Sequence, residues 1–278
     1  MTAFWTAAAR ACESRRRDKL FDDPWALVLA GNPAVEAYAG AISQFGTETA
    51  DLSAIITRYF DDFLLRATVA DGIGQVVILG SGLDARAFRL AWPASTCVYE
   101  LDQPGLVAYK DHRLAAAGAA PACKRHTIGV DLCEPWQSGL RDAGFDPAMP
   151  SVWLLEGFLY FLPEAAVLDL LTGVTGLCVS GSRVGIELVN GEMLRSPSTR
   201  HWNERMSAIG APWLFTSDRP DLLLAEFGWS ARVVEAGGHE ACFGRSFGAA
   251  KRESAADLPR CFLVTGTRTD DTRVDARA

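Results

Sequence analysis

The run Val76-Val77-Ile78-Leu79 is short, wholly apolar and rich in β-branched residues, the pattern of a central parallel strand buried on both faces. Similar runs recur at 96–101, 126–132, 152–155, 184–189 and 261–265. Helical stretches lie between several of them. Residues 104–117 open on Pro104 and close before Gly118, and residues 163–171 open on Pro163. Strand and helix alternate, which predicts a doubly wound α/β sheet. Upstream, the period changes. Leu52, Ile55, Ile56, Tyr59, Phe60, Phe63, Leu64 and Ala67 recur at helical spacing, and residues 1–17 are alanine-rich. Asp22-Asp23-Pro24-Trp25 has the form of a helix cap followed by a first-turn proline, and Gly31-Asn32-Pro33 and Gly40 interrupt the helical pattern. The tail from Asp270 is polar.

With 49% hydrophobic and 22% charged residues, the 278-residue chain has material for a large core. Its net charge of -7 supplies no general basic face for nucleic acid, and Arg15-Arg16-Arg17 is followed at once by Asp18. Seven cysteines, an odd number without a CxxC pair, predict free thiols and a cytoplasmic setting. The four histidines stand apart, so no metal site is expected. The first apolar stretch precedes the basic residues, the reverse of a secretory signal, and no uninterrupted apolar window is long enough for a membrane span.

The candidate chemistry begins where the first strand ends. Gly80-Ser81-Gly82-Leu83-Asp84-Ala85 lets the backbone turn tightly beside a ligand, and the second strand ends in Glu100-Leu101-Asp102. A carboxylate there can accept from ribose hydroxyls. The loop formally fits G-x-G-x-x-A of dinucleotide folds, so a nicotinamide-dependent oxidoreductase is one reading. Two features oppose it. Pro93 leaves little room for a long phosphate-binding helix, and Asp84 would face two phosphates. S-adenosylmethionine carries no phosphate, and its sulfonium and ammonium favour nearby carboxylates.

The segment from Gln75 to Leu90 resembles the signature of leucine carboxyl methyltransferase-like enzymes, a family that includes bacterial polyketide O-methyltransferases. The resemblance extends through Leu20-Phe21-Asp22-Asp23-Pro24, Arg58-Tyr59-Phe60-Asp61-Asp62-Phe63, Tyr99-Glu100-Leu101-Asp102-Gln103-Pro104, Val130-Asp131-Leu132, Gly144-Phe145-Asp146-Pro147 and Glu156-Gly157-Phe158-Leu159-Tyr160-Phe161-Leu162-Pro163. It covers about residues 3 to 268; Ser81 stands where alanine is commoner and Ala85 where threonine is. It implies a Rossmann-like class I methyltransferase with a mostly parallel twisted sheet, helices on both faces, an N-terminal helical extension and a helical lid. One domain would then comprise a helical cap (1–72), a cofactor core (73–189), a lid insertion (190–225) and final strands (226–268).

The resemblance also implies residue roles. Gly80, Ser81 and Gly82 would pass beneath the cofactor, and Asp102, or alternatively Glu100, would bind the ribose. Asp131 and Leu132 would hold adenine, and Glu156 would meet the methionine moiety or else sit at the surface. Arg58 would clamp the methionine carboxylate or pair with Asp61 or Asp62, while Arg86 is placed to pair with Asp84. Arg15 or Arg17 is a further cofactor candidate. For the acceptor, residues 190–220 interleave Trp202, Met206, Trp213 and Phe215 with Arg195, Arg200, His201 and Arg205. This composition suits either a lid over a flat, anionic small molecule or an ordinary amphipathic helix. Arg200, His201, Arg205 and Trp213 are the substrate-site candidates. A carboxylate acceptor needs no base; a hydroxyl acceptor would gain from one, such as His201 or His239. The expected activity is methyl transfer to a carboxylate or hydroxyl of a small molecule in specialised, polyketide-type metabolism. A cofactor-binding protein without turnover is the further alternative. Oligomeric state is not legible.

Overall fold

In the computed structural model, which describes residues 2–45, 47–245 and 258–269, the apolar runs assemble into one seven-stranded sheet. Its strands are β1 (Gln75–Leu79), β2 (Cys97–Asp102), β3 (Lys124–Gly129), β4 (Ser151–Leu155), β5 (Arg183–Val189), β6 (Trp229–Glu235) and β7 (Cys261–Arg268). Their order is β3-β2-β1-β4-β5-β7-β6, parallel except for β7, which runs antiparallel to both β5 and β6. The doubly wound α/β sheet expected from the sequence is the fold observed. Chain order reverses direction between β1 and β4, which opens a crevice at the carboxyl ends of those strands.

Successive residues of the central strands feed opposite cores. Val77, Leu79, Tyr99, Leu101, Trp153 and Leu155 pack on one face. Val76, Ile78, Val98, Val152 and Leu154 pack on the other. Helices cover both. Four precede the sheet: α1 (Thr2–Ser14), α2 (Ala26–Ala30), α3 (Asn32–Phe45) and α4 (Glu48–Leu65), the last running into a π-helical turn at Arg66–Ala70. Between strands come α5 (Arg86–Arg89), α6 (Pro104–Ala116), α7 (Gln137–Asp142) and α8 (Glu164–Thr175). After β5 come α9 (Glu192–Arg195), α10 (Arg200–Ala208) and α11 (Pro220–Glu226). No described helix is long and apolar enough to cross a membrane.

Three boundaries differ from the sequence expectation. β3 ends at Gly129 rather than residue 132, because the Asp131 side chain accepts from the Cys133 N–H at 2.9 Å and turns the chain out of the ladder. β6 had no readable apolar run of its own; it is an edge strand whose Ser230 and Arg232 face solvent. α11 packs against β6 and β7 and buries Leu224 in the sheet core, so the segment that leaves the sheet is 190–219. The polar tail from Asp270 lies outside the described residues.

Buried charge fastens the N-terminal helices to the sheet. Asp61 of α4 accepts from Arg86 at 2.6 Å and from Arg89 at 2.6 and 2.7 Å, with all three side chains at most 5% exposed. Asp23 accepts from the Trp25 N–H at 3.1 Å in the turn before α2; the helix itself starts at Ala26 with Trp25 as its cap, so Asp23 and Pro24 precede it rather than capping and opening it. Asp23 also receives Arg10 at 2.9 Å. Removing one partner from such a buried set leaves an uncompensated ion, typically at a cost of about 3–5 kcal/mol. Asp61→Ala is therefore expected to lower the unfolding free energy by about 4 kcal/mol in urea titrations; a change below about 1 kcal/mol, the range of an exposed pair, would contradict the assignment.

Candidate functional site

The chain leaving β1 makes the floor of a cleft. Gly80 and Gly82 have φ of +64° and +46°, a region that favours glycine. Space requires it as well. A Cβ on Gly80 would lie 2.7 Å from the Phe158 ring, and one on Gly82 would lie 3.3 Å from the Ala3 Cβ. The loop is tied to β2 where Ser81 N–H donates to Leu101 O at 3.0 Å and Gly82 N–H to the Asp102 carboxylate at 2.6 Å.

Arg86, only 3% exposed, sits behind this loop and holds three carboxylates. They are Asp61 at 2.6 Å, Glu156 at 2.7 Å, and Asp84, whose second oxygen also accepts the Arg86 N–H. Burial raises the Asp84 carboxyl, but Arg86, aided by Lys110, Arg10 and Arg89, overrides it and holds Asp84 well below the usual range. Glu156 shifts the other way. Burial, with Asp84 and Asp61 nearby, outweighs the attraction of Arg86 and leaves its carboxyl raised. Its Oε2 is buried 2.7 Å from an Arg86 nitrogen without the alignment of a hydrogen bond, so the carboxylate is held by charge and left short of a donor.

The cleft encloses about 1060 Å³. Its floor comes from the carboxyl ends of β1, β2, β4 and β5 and the turn after β3, and its roof from α1, α4 and α10. Among the described residues, six carboxylates line it (Glu48, Asp84, Asp102, Asp131, Glu156 and Glu187) against two guanidinium groups, Arg10 and Arg205. Aromatic rings close the far wall. Tyr160 and Trp213 lie 4.3 Å apart, and Trp202 stands 6.3 Å from Trp213 and 6.5 Å from Trp5.

Of the cofactor candidates, Gly80, Ser81, Gly82, Asp102, Asp131, Leu132 and Glu156 all border this cleft. Asp131 is held below its ordinary value by the Cys133 N–H and the Gln103 side chain. Glu100 and Arg58 lie elsewhere. Strand alternation puts Glu100 on the same face as Asp102 but one pleat deeper, where it is fully buried against Lys110 at 2.8 Å and Arg125 at 2.6 Å. It is not a ribose ligand in this geometry. Arg58 is on α4, whose period turns Ile56 and Thr57 to the cleft instead; Arg58 pairs with Asp62 at 3.0 Å and donates to Leu20 O at 2.9 Å. Arg15 and Arg17 are exposed, whereas Arg10, on the alanine-lined face of α1, borders the cleft and donates to Leu83 O.

The acceptor candidates divide by helical spacing. Trp202, Arg205 and Met206 of α10 line the cleft with Trp213, and Arg205 lies over the Trp5 ring at 5.8 Å. Arg200 and His201 are exposed and do not border it, because α10 turns them outward. Two functional candidates escaped the sequence reading. The position of Arg10 depends on how α1 docks. Glu187 sits inside the apolar run 184–189, and its signal was a lone acid in a buried strand, a group that needs a partner or a task.

An acidic, aromatic-walled crevice at the switch point of a mostly parallel sheet is the binding site of a class I methyltransferase fold. The leucine carboxyl methyltransferase family model matches residues 3–175, and the chain belongs to that family of S-adenosylmethionine-dependent methyltransferases. A "Putative S-adenosyl-L-methionine-dependent methyltransferase" of Saccharopolyspora erythraea is 43% identical over 242 residues, 82% of each chain. A Mycolicibacterium smegmatis relative of the same description is 40% identical, covering 84% of this chain and 83% of that one. Among solved structures, a duf574 family protein from Streptomyces avermitilis aligns with a TM-score of 0.61 at 14% identity, over 88% of this chain and 95% of that one. An O-methyltransferase family protein from Burkholderia thailandensis gives 0.53 at 13% identity, over 95% and 69%. These two likenesses bear on the fold.

The residues present fit the cofactor. Carboxylates outnumber guanidinium groups around the cleft, as a cationic, phosphate-free nucleoside requires, and the four-residue α5 cannot present a long helix to a pyrophosphate. Gly80→Ala, which drives a methyl group into Phe158, is expected to weaken S-adenosylhomocysteine binding about tenfold or more in calorimetry. Glu100→Gln should leave that affinity within about twofold while lowering stability by about 3 kcal/mol. A large loss of affinity in Glu100→Gln would return it to the ribose site.

Proposed function

We propose that the protein methylates an oxygen atom, carboxylate or hydroxyl, of a small planar acceptor in specialised metabolism. The observation that carries this reading is a single cleft lined both by carboxylates and by a group of aromatic rings, with Arg205 over the Trp5 ring. The family is also named for transfer to a carboxyl oxygen.

In this reading Asp102 accepts from the ribose hydroxyls, Asp131 from the adenine amine, and Leu132 packs on the base. Glu156, which borders the cleft, takes the ammonium, and Arg10 takes the methionine carboxylate. When bound, S-adenosylmethionine supplies a methyl group on a sulfonium, ready for in-line displacement. The protein contributes alignment and exclusion of water. Orientation of two reactants in a closed site is worth on the order of 7–11 kcal/mol when geometry is ideal. Phe4, Trp5, Phe161, Trp202 and Trp213 confine a flat acceptor, and Arg205 attracts its anionic edge.

Radiolabelled methyl donor, offered with a panel of aromatic acids and phenols, is expected to label a product at oxygen. Esters are base-labile and ethers are not. Label found only at nitrogen or sulfur would contradict the proposal, and calorimetry should show S-adenosylhomocysteine bound and NAD not. Asp102→Ala is expected to weaken S-adenosylhomocysteine binding by about 10- to 100-fold, the scale of charge-assisted hydrogen bonds. Arg205→Ala should raise acceptor KM with cofactor affinity unchanged, and the outward-facing Arg200→Ala should alter neither. Equal effects of the two arginine variants would remove Arg205 from the acceptor site.

A further inference from the structure

Glu187 is a buried cleft carboxylate with no assigned task; Glu48, the other, is exposed. In β5, Val184, Ile186 and Leu188 face one core, so strand alternation turns Glu187 to the opposite side, near the carboxyl end where the cleft opens. It is 7% exposed. Its Oε1 accepts from the Cys261 thiol at 3.6 Å, and the Gly157 N–H also points to it. A Cβ on Gly157 would lie 3.7 Å from the Tyr160 hydroxyl and 3.9 Å from Glu187 Oε2, so these groups converge beside the loop that carries Glu156. Asp84 and Glu156 are committed to Arg86, while Asp102 and Asp131 accept backbone N–H groups. Among the described residues, no ion pair to lysine or arginine holds Glu187.

We infer that Glu187 is the general base of the methyl transfer and that the acceptor is an aromatic hydroxyl compound, a conclusion that rests on the oxygen-methylation reading above. The acceptor O–H donates its proton to the Glu187 carboxylate as the oxygen forms its bond to the methyl carbon. The carbon–sulfur bond breaks, its electron pair stays on sulfur, and the sulfonium charge disappears. The proton on Glu187 passes to solvent after product leaves. A carboxylate acceptor needs no such group and would be repelled by it. A phenol, with a pKa of about 10, needs one. The adjoining surface suits the phenol: Tyr160, Phe161 and Trp213 supply flat apolar faces.

The electrostatic surroundings support the task. Facing Glu187 are Glu156 from the end of β4, Tyr160 from the turn after it and Cys261 from β7. Glu235 of β6 lies farther off beside Arg260. α4 presents Phe60 and Phe63 to β5, its Asp61 being turned to Arg86. Burial, reinforced by Glu156, pushes the Glu187 carboxyl up to about 8. A ligand cation beside Glu156 draws it down toward neutral pH, where a base is most effective.

The test uses a hydroxynaphthoic acid, which offers both oxygen nucleophiles on one frame, with wild type, Glu187→Gln and Glu187→Asp. S-adenosylhomocysteine calorimetry serves as the control for folding and cofactor affinity. Wild type should form the methyl ether, with kcat/KM rising with pH to a plateau. Glu187→Gln should lose about 100-fold or more in kcat and lose the pH rise, and Glu187→Asp should keep part of both. A second readout needs no turnover. Because folding raises this carboxyl, wild type loses stability as pH climbs from about 4.5 through about 8, whereas the Gln variant has no such loss. The Tm of Glu187→Gln relative to wild type should therefore rise across that window. A methyl ester, undiminished kcat in Glu187→Gln with cofactor binding intact, or a Tm difference flat with pH would overturn the inference. No transfer to this probe, to naphthol or to naphthoic acid, with cofactor bound, would instead overturn the oxygen-methylation reading and this inference with it.

Discussion

Arg86 is the tie on which the site depends. Its guanidinium is buried, and it gathers one carboxylate from the N-terminal helices (Asp61), one from the glycine loop (Asp84) and one from the end of β4 (Glu156). Burying ions costs solvation, and such pairs add little net stability over a well-packed apolar alternative. What they fix is position, because each partner, once buried, has no other place to satisfy its charge. The glycine loop is thereby held against the end of β4 and the helical cap at once.

The same cluster sets the sign of the ligand. Asp23, Asp61, Asp84 and Glu156 face Arg10, Arg86 and Arg89, so four carboxylates meet three guanidinium groups. Glu156 is the member of this set that borders the cleft with its carboxyl raised, by burial and by Asp84 and Asp61 against the pull of Arg86. A cationic amino acid nucleoside completes this arrangement; a pyrophosphate opposes it. The aromatic half differs in kind. Its walls come from α1, α10 and the irregular segment around Trp213, elements outside the sheet ladder. In the proposed reading these walls confine the acceptor, while the glycine loop and the strand ends hold the methyl donor.

Much of the donor half was legible because it follows local rules. A β-branched run ending in glycines places Gly80 and Gly82, and the strand ends at Asp102 and Glu156 lie where the run patterns stop. Choosing between Glu100 and Asp102 required knowing where the pleat ends, a matter of one residue step. Arg58 failed for a related reason. Helical spacing fixes relative directions, but the rotation of α4 over the sheet decides that Thr57 and not Arg58 meets the cleft. Likewise, α10 faces inward with Trp202 and Arg205, leaving Arg200 and His201 outside. The motifs containing Asp23, Asp61 and Arg86 were visible as separate stretches. Only their folding together shows why they are charged, since their contacts join residues far apart in the chain.

Carboxylates at the cleft floor, among them Glu187 pushed up to about 8 by burial and by Glu156, select the cationic donor. The most direct measurement is calorimetry of S-adenosylmethionine binding near neutral pH in buffers of different ionisation enthalpy, for wild type and Glu156→Gln. Binding is expected to release protons from wild type, because the ligand's positive charge draws down the Glu187 carboxyl, which burial and Glu156 push up to about 8; Glu156→Gln, lacking that neighbour, should release fewer and bind more weakly. Binding of undiminished affinity with no proton exchange in either protein would contradict it.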